Sequence, residues 1–286
     1  MTAAPFRAAC ITLRSGRDPG ANIEAASDFI QDAAKDGARL VCTPENTLLM
    51  EAGGKHLFEA VKPEADTNAV SVLSRLAADL GIWLSVGSLA IKVGDDKVAN
   101  RSYMMGPDGQ IHARYDKIHM FDVSLPNGER YHESKNYRPG DAAVLVPTEF
   151  GPIGLTVCYD LRFPALYRSL AQAGADYLTV PSAFTQVTGE AHWHVLLRAR
   201  AIETGAYVFA AAQSGTHENG RKTYGHSLIV DPWGEVLADG GLRVGFVAAD
   251  IDPAKVADAR SRIPSLQHDR QFALPNTENS ANLPTS

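Results

Sequence analysis

The stretch Pro152-Ile-Gly-Leu-Thr-Val-Cys158-Tyr-Asp-Leu-Arg162-Phe-Pro164 constrains the fold more than any other part of the chain. Its first half is an apolar run rich in β-branched residues, and Pro164 restarts the chain with a residue suited to the first turn of a helix. A strand therefore hands over to a helix here, with Cys158 at the corner. A thiol in that place faces the positive end of a helix dipole, which favours thiolate, and stands at the carboxyl edge of a sheet, where substrates gather. A free cysteine is also, more often, a small buried hydrophobe.

The same alternation runs through the chain. Strands are expected over residues 6–13, 39–43, 82–91, 142–150, 153–157, 176–180, 207–212 and 244–251, and helices over 22–36, 66–80, 163–173, 191–204 and 253–262. In the first helix Ile23, Ala26, Phe29, Ile30, Ala33 and Ala34 share a face, and Gly37 ends it. Turn signals at Pro107-Asp-Gly109 and Asp231-Pro-Trp-Gly234 add two hairpins, so the sheets are mixed. This predicts an α/β architecture of layered mixed sheets covered by helices. No composition break marks a linker, which gives one domain over 1–274 and a polar tail over 275–286.

Periodicity fades between residues 119 and 140, and a loop of that length inside a compact domain usually carries function. Lys117 stands just before it and Glu133 lies within it. Glu45 follows Pro44 at the end of the second strand, at the same kind of corner as Cys158. A thiol that attacks a carbonyl needs a base for its proton and a positive group for the oxygen that becomes negative. Glu45 can serve as the base and Lys117 as the electrophile, with the N–H of Tyr159 as a second oxyanion donor. Each has a plainer reading: Glu45 as a cap, Lys117 as a solvated charge between His112 and His119, Glu133 as a surface partner of Lys135 or Arg138.

Other chemistries have less support. A net charge of -6 without a basic cluster disfavours nucleic acid and anionic membranes, and no signal-like or membrane-spanning apolar run occurs. Three cysteines, Cys10, Cys42 and Cys158, are too few for a disulfide framework and suit a reducing, cytoplasmic setting. Among nine histidines, His192 and His194 are two apart on a predicted helix and point in different directions, so no metal site is expected. A papain-like pairing of Cys158 with His226 or His217 stays open. No G-x-G-x-x-G occurs, and Gly215-Thr-His-Glu-Asn-Gly220-Arg-Lys-Thr223 has an arginine where a phosphate-binding loop needs its lysine.

Pro44-Glu45, Tyr115-Asp116-Lys117-Ile-His119 and Gly154-Leu-Thr-Val-Cys158-Tyr-Asp-Leu-Arg162-Phe-Pro164 resemble, in order, the three signature regions of the nitrilase superfamily of carbon-nitrogen hydrolases. The resemblance implies a four-layer α-β-β-α sandwich, a homodimer or higher homo-oligomer, and hydrolysis of a small-molecule amide without a cofactor. It puts the general base at Glu45, the oxyanion-stabilising lysine at Lys117, the nucleophile at Cys158 and an orienting glutamate at Glu133. Within the family, Thr188-Gly-Glu-Ala-His-Trp193, residues 196–203 and Ala211-Ala-Gln-Ser214 are most similar to the deaminated-glutathione amidase branch, with the ω-amidase branch acting on 2-oxoglutaramate close behind. His194 stands where both branches lead one to expect a glutamate. Arg162 is the candidate cation for a substrate carboxylate, or an anchor for Asp160 or Glu133, and Phe184 lines the pocket or packs in the core. A nitrilase proper, an N-carbamoyl-amine hydrolase and a catalytically silent binding protein of the same fold are the alternatives.

Overall fold

The computed structural model describes residues 3–51 and 54–273, so the tail expected over 275–286 lies outside the described residues. In chain order the strands are β1 (Phe6–Thr12), β2 (Ala38–Cys42), β3 (Trp83–Lys92), β4 (Val98–Met105), β5 (Ile111–Asp116), β6 (Asp122–Ser124), β7 (Arg130–His132) and β8 (Val144–Val146). They continue as β9 (Ile153–Leu155), β10 (Tyr177–Thr179), β11 (Tyr207–Ala210), β12 (Ser214–Thr216), β13 (Lys222–Tyr224), β14 (Leu228–Val230), β15 (Val236–Asp239) and β16 (Gly245–Ile251). Two six-stranded sheets result, in the orders β16-β1-β2-β3-β4-β5 and β15-β14-β11-β10-β9-β8. Each mixes parallel central pairs with antiparallel pairs toward the edges, and the β4–β5 and β14–β15 hairpins fall where the turn signals predict them.

Helices α1 (Pro19–Lys35), α2 (Lys55–Ala60), α3 (Asn68–Leu80), α4 (Pro164–Gln172), α5 (Gln186–Thr204) and α6 (Ala254–Arg262) complete the set. Period-two side chains sort the first sheet's two faces. Ala9, Ile11, Val41, Leu84, Val86, Tyr103 and Met105 pack with Ala26, Ile30 and Ala33 of α1 and Val70, Leu73 and Ala77 of α3. Ala8, Cys10, Leu40, Cys42 and Met104 turn the other way, into a core shared with the second sheet, whose outer face is closed by Leu166 and Leu170 of α4 and Trp193, Leu197 and Ala201 of α5. The layers are therefore α-β-β-α. Strands covered on both faces need near-continuous apolar sequence, which Ile153–Leu155 and Tyr207–Ala210 supply. Each large apolar side chain buried this way contributes roughly 1.5–3 kcal/mol.

Helix boundaries depart from the apolar periodicity where polar caps extend them. Asp18 accepts from the N–H groups of Gly20 and Ala21, with Pro19 in the first turn, so α1 starts three residues before residue 22. Thr185 accepts from Thr188 N–H at 3.4 Å and starts α5 at Gln186 instead of residue 191. The expected loop over 119–140 holds the small β6–β7 hairpin and a 3-10 turn at Glu133–Lys135. Helix α2 and the β12–β13 hairpin were not expected at all; both are short and lack a long apolar stripe. No helix among the described residues is long and apolar enough to cross a membrane.

Candidate active site

Cys158 follows β9 and opens a 3-10 turn, Cys158–Arg162, before Pro164 begins α4. Its φ is +50°, a left-handed conformation rare for a residue with a side chain, and its N–H donates to Pro181 O at 2.9 Å. The sharp turn pushes the thiol out of the strand line toward the first sheet. Strain of this kind persists only where its surroundings fix it. Arg200, 6% exposed, helps by donating from Nε to Leu161 O at 3.0 Å while its guanidinium lies over the Tyr167 ring.

Glu45 reaches the same point from the end of β2. The chain there runs so close to β3 that a Cβ on Gly87 would sit 2.1 Å from Thr43 O, so only glycine fits. Gln213 fixes the backbone after the strand, donating to the carbonyls of Glu45 and Asn46 at 3.1 Å. The carboxylate itself accepts from Lys117 Nζ at 3.0 Å, Asn100 Nδ2 at 2.9 Å and the Ala183 N–H at 2.9 Å, and it lines the same cavity as the Cys158 thiol. Lys117 is only 2% exposed and also donates to both oxygens of Glu133, at 3.0 and 2.8 Å. Glu133 is held in turn by the Phe121 N–H at 2.6 Å and Asn100 Nδ2 at 3.2 Å. None of the plainer readings fits: Lys117 is not solvated, and Glu133 pairs with it and not with Lys135 or Arg138.

Asp160 explains why the lysine and cysteine motifs have the spacings they do. Fully buried, it accepts from Tyr115 Oη at 2.7 Å, from His119 N at 3.1 Å and from Val157 N at 2.8 Å, and His119 Nδ1 lies 2.7 Å from its Oδ1. Tyr115 and His119 flank Lys117 two residues either side; Val157 precedes Cys158. One carboxylate thus clamps the lysine segment to the nucleophile turn. His119 completes the joint by stacking on Phe163 with ring centres 3.5 Å apart.

The electrostatics correct one expectation. Burial pushes the Cys158 thiol up, the Glu45 carboxylate pushes it further, and Lys117 and the Ala183 N–H only partly oppose this. A five-residue 3-10 turn offers no dipole that outweighs a neighbouring carboxylate in a dry site, so the resting group is a thiol, not a thiolate. Burial works against the charge on Glu45 too, but Lys117 and Arg221 hold it below its ordinary value. For Lys117 burial opposes the charge and the two carboxylates, Glu133 first, override it, so it stays an ammonium. The arrangement is a protonated thiol facing an ionised carboxylate and a fixed cation, a set that can serve as nucleophile, base and oxyanion partner.

All of these groups line one cavity of about 170 Å³. Tyr159, Arg162 and Phe184 line it as well. Arg162 is bonded to His192, with 3.2 Å between Nη1 and Nδ1, and lies 5.2 Å over the Phe184 ring; Asp160 and Glu133, its suggested anchors, are engaged elsewhere. Phe184 also packs on Trp193, so both of its readings hold. The papain-like alternative does not form: His217 is bonded to Ser15 O and Thr223, His226 to Asp239, and neither lines the cavity.

Sequence reading missed Asn100 and Arg221. Asn100 had a signal, since it shares a strand face with Ser102 and Met104 in β4 and is a polar residue on a buried face. Arg221 had none, because the β12–β13 hairpin had to fold before this side chain could reach the Ala183 carbonyl and lie over Tyr131.

Comparison with known proteins identifies the family. The carbon-nitrogen hydrolase family model matches residues 7–261. A Synechocystis protein named deaminated glutathione amidase is 40% identical over 268 residues, which cover 92% of this chain and 98% of that protein. The Caenorhabditis elegans NitFhit structure superposes with a TM-score of 0.88 at 36% identity, over 94% of this chain and 66% of that longer one. Saccharomyces cerevisiae Nit3, described as a member of branch 10 of the nitrilase superfamily, gives 0.84 at 31% identity over 94% and 97%. With a match that runs through nearly the whole length, this chain belongs to the carbon-nitrogen hydrolase family.

Proposed function

We propose that the protein is a thiol-dependent amidase whose substrate is deaminated glutathione, hydrolysed to 2-oxoglutarate and cysteinylglycine. The observation that carries the chemistry is the meeting of a thiol, a carboxylate and an ammonium in one cavity. Glu45 takes the Cys158 proton as sulfur attacks the amide carbon. Lys117 and the Tyr159 N–H receive the developing oxyanion. Glu45 returns its proton to the nitrogen, the amine leaves, and a thioester remains. Water, deprotonated by the same carboxylate, then attacks the thioester and frees the acid and the thiol. Glu133 keeps the lysine aimed.

The choice of substrate rests on the relatives and on the cavity's cations. Arg130, Arg162 and Arg221 line it beyond Lys117, which suits an acyl group ending in a carboxylate. We assign that carboxylate to Arg162, so Arg162→Gln raises KM by about 10- to 100-fold with a smaller change in kcat. A cytoplasmic homo-oligomer is the setting we propose, supported by three unpaired cysteines and by apolar side chains such as Val195 and Ile202 left exposed on α5.

The test is a side-by-side assay of deaminated glutathione and 2-oxoglutaramate, following 2-oxoglutarate release, with Cys158→Ala as the control. Faster release from deaminated glutathione is expected. Negligible rates on both substrates overturn the substrate reading, and undiminished turnover by Cys158→Ala overturns the mechanism.

A further inference from the structure

Away from the catalytic cavity, His194, His226 and Asp239 converge on the outer side of the second sheet. The geometry points to a divalent-cation site of the zinc type at these three residues. His194 comes from α5, His226 from the turn before β14 and Asp239 from the end of β15. One donor atom from each lies within 4.8 Å of the other two. Zinc takes imidazole nitrogen at about 2.0–2.1 Å and carboxylate oxygen at about 2.0–2.2 Å, with donors about 3.4 Å apart in a tetrahedron. His194 Nε2 is now 3.1 Å from Asp239 Oδ2, and His226 Nδ1 is 2.9 and 3.1 Å from the two oxygens. Small rotations of partly exposed side chains convert these contacts into a coordination set that leaves one vertex for water.

The surroundings are built in a way that a chance surface cluster does not require. His226 is held at φ +55°, one of three described non-glycine residues in the left-handed region; the others are Cys158 and Asn46, both in the catalytic site. Its carbonyl accepts from Trp193 Nε1 at 2.8 Å, and its ring stacks on Tyr224 with centres 4.5 Å apart. Asp239 Oδ1 accepts from the Gly241 N–H at 2.8 Å, the kind of outer contact that orients a ligating carboxylate. Two imidazoles with one carboxylate suit zinc better than magnesium or calcium. The histidine at 194, where the family resemblance leads one to expect glutamate, supplies one of the nitrogens.

None of the three residues lines the catalytic cavity, so the ion is not part of the amide chemistry. It would pin α5 to the β14–β15 hairpin. Trp193, next to His194, packs on Phe184 of the cavity wall, so the same pin steadies one side of the pocket. This assignment is independent of the amidase reading.

The experiment uses tag-free protein carrying Cys158→Ala, which removes the catalytic thiol as a competing ligand, stripped with EDTA and titrated with zinc by calorimetry and with cobalt by visible absorption. The expected result is one equivalent bound, cobalt bands of a four- or five-coordinate ion, and a Tm that rises with zinc concentration. His194→Gln and His226→Gln each weaken binding at least about 10-fold and abolish the bands. Asp239→Asn serves as a third variant should either fold poorly, and each fold is checked by circular dichroism in EDTA. Equal affinity in parent and variants, or no binding by the parent, overturns the site and leaves a hydrogen-bonded His-Asp-His cluster.

Discussion

The two sheets meet the catalytic cavity on different terms. The first brings charge: Glu45 after β2 and Lys117 after β5, with Asn100 from β4 between them, tied by side-chain hydrogen bonds. The second brings the thiol and backbone: Cys158 after β9 and the Ala183 N–H beyond β10, placed by main-chain geometry. The charged side is already satisfied, with each ion facing its opposite. The sulfur side is held protonated by burial and by the carboxylate opposite. The contrast teaches where reactivity comes from in the mechanism proposed above: it is not stored in the sulfur but arises when the first sheet accepts a proton from the second.

Removing the second sheet's contribution should have the largest effect. Cys158→Ser should lower kcat by about 10⁴-fold or more while circular dichroism stays native, since a hydroxyl is a far poorer nucleophile in the same place. A serine variant with near-native turnover would break the comparison outright. Glu45→Gln should cost about 10²- to 10⁴-fold and at the same time bring the Cys158 pKa down, because one of the two causes that raise it is gone. The pH dependence of thiol alkylation measures that fall; an unchanged profile would mean that burial alone sets the thiol.

Lys117→Met should cost about 10²- to 10³-fold in kcat by removing an oxyanion donor. It also leaves Glu45 and Glu133 without their shared cation, at a stability loss of about 3–5 kcal/mol in denaturant unfolding. In the native protein Glu45 titrates below its ordinary 4.5, so activity, and the stability this carboxylate adds above pH 4.5, fall only as pH drops through that depressed value. In Lys117→Met the acid limb of kcat/KM should move to higher pH. Glu133→Gln keeps the cation and loses only part of its aim, so a drop of about 10- to 100-fold is expected, with the acid limb nearly unmoved. Tyr115→Phe is the mildest change. It removes one of the donors to Asp160 and should cost about 1–3 kcal/mol in stability while the thiol alkylation profile is kept.

Much of this was legible before any coordinates. Apolar runs that end in a reactive residue located Glu45 and Cys158, and the loss of periodicity after Lys117 flagged the loop that carries Glu133. Tyr159, Arg162 and Phe184 also reach the cavity. What stayed hidden depends on approach between distant segments. Arg221 comes into play only through a three-residue-stranded hairpin, and nothing local announces that Asp160 binds both flanks of Lys117. The thiolate expectation failed for a related reason: a helix dipole can be read from one stretch, whereas the carboxylate that outweighs it comes from the other sheet. Caps explain the helix starts, since Asp18 and Thr185 lie outside the apolar stripe.

The Asp160 joint has a consequence for how such a molecule can change. Because one carboxylate ties the lysine segment to the turn that carries the sulfur, the spacing of those two main-chain segments does not depend on the tips of the β6–β7 and β12–β13 hairpins that wall the cavity. With Glu133, which grips Lys117, and Arg221, which helps keep Glu45 ionised, left in place, those hairpins can be lengthened or exchanged without resetting the reacting atoms. The reaction and the choice of what enters are therefore separable parts, and a new substrate can be reached by rebuilding the rim while the hub stays as it is.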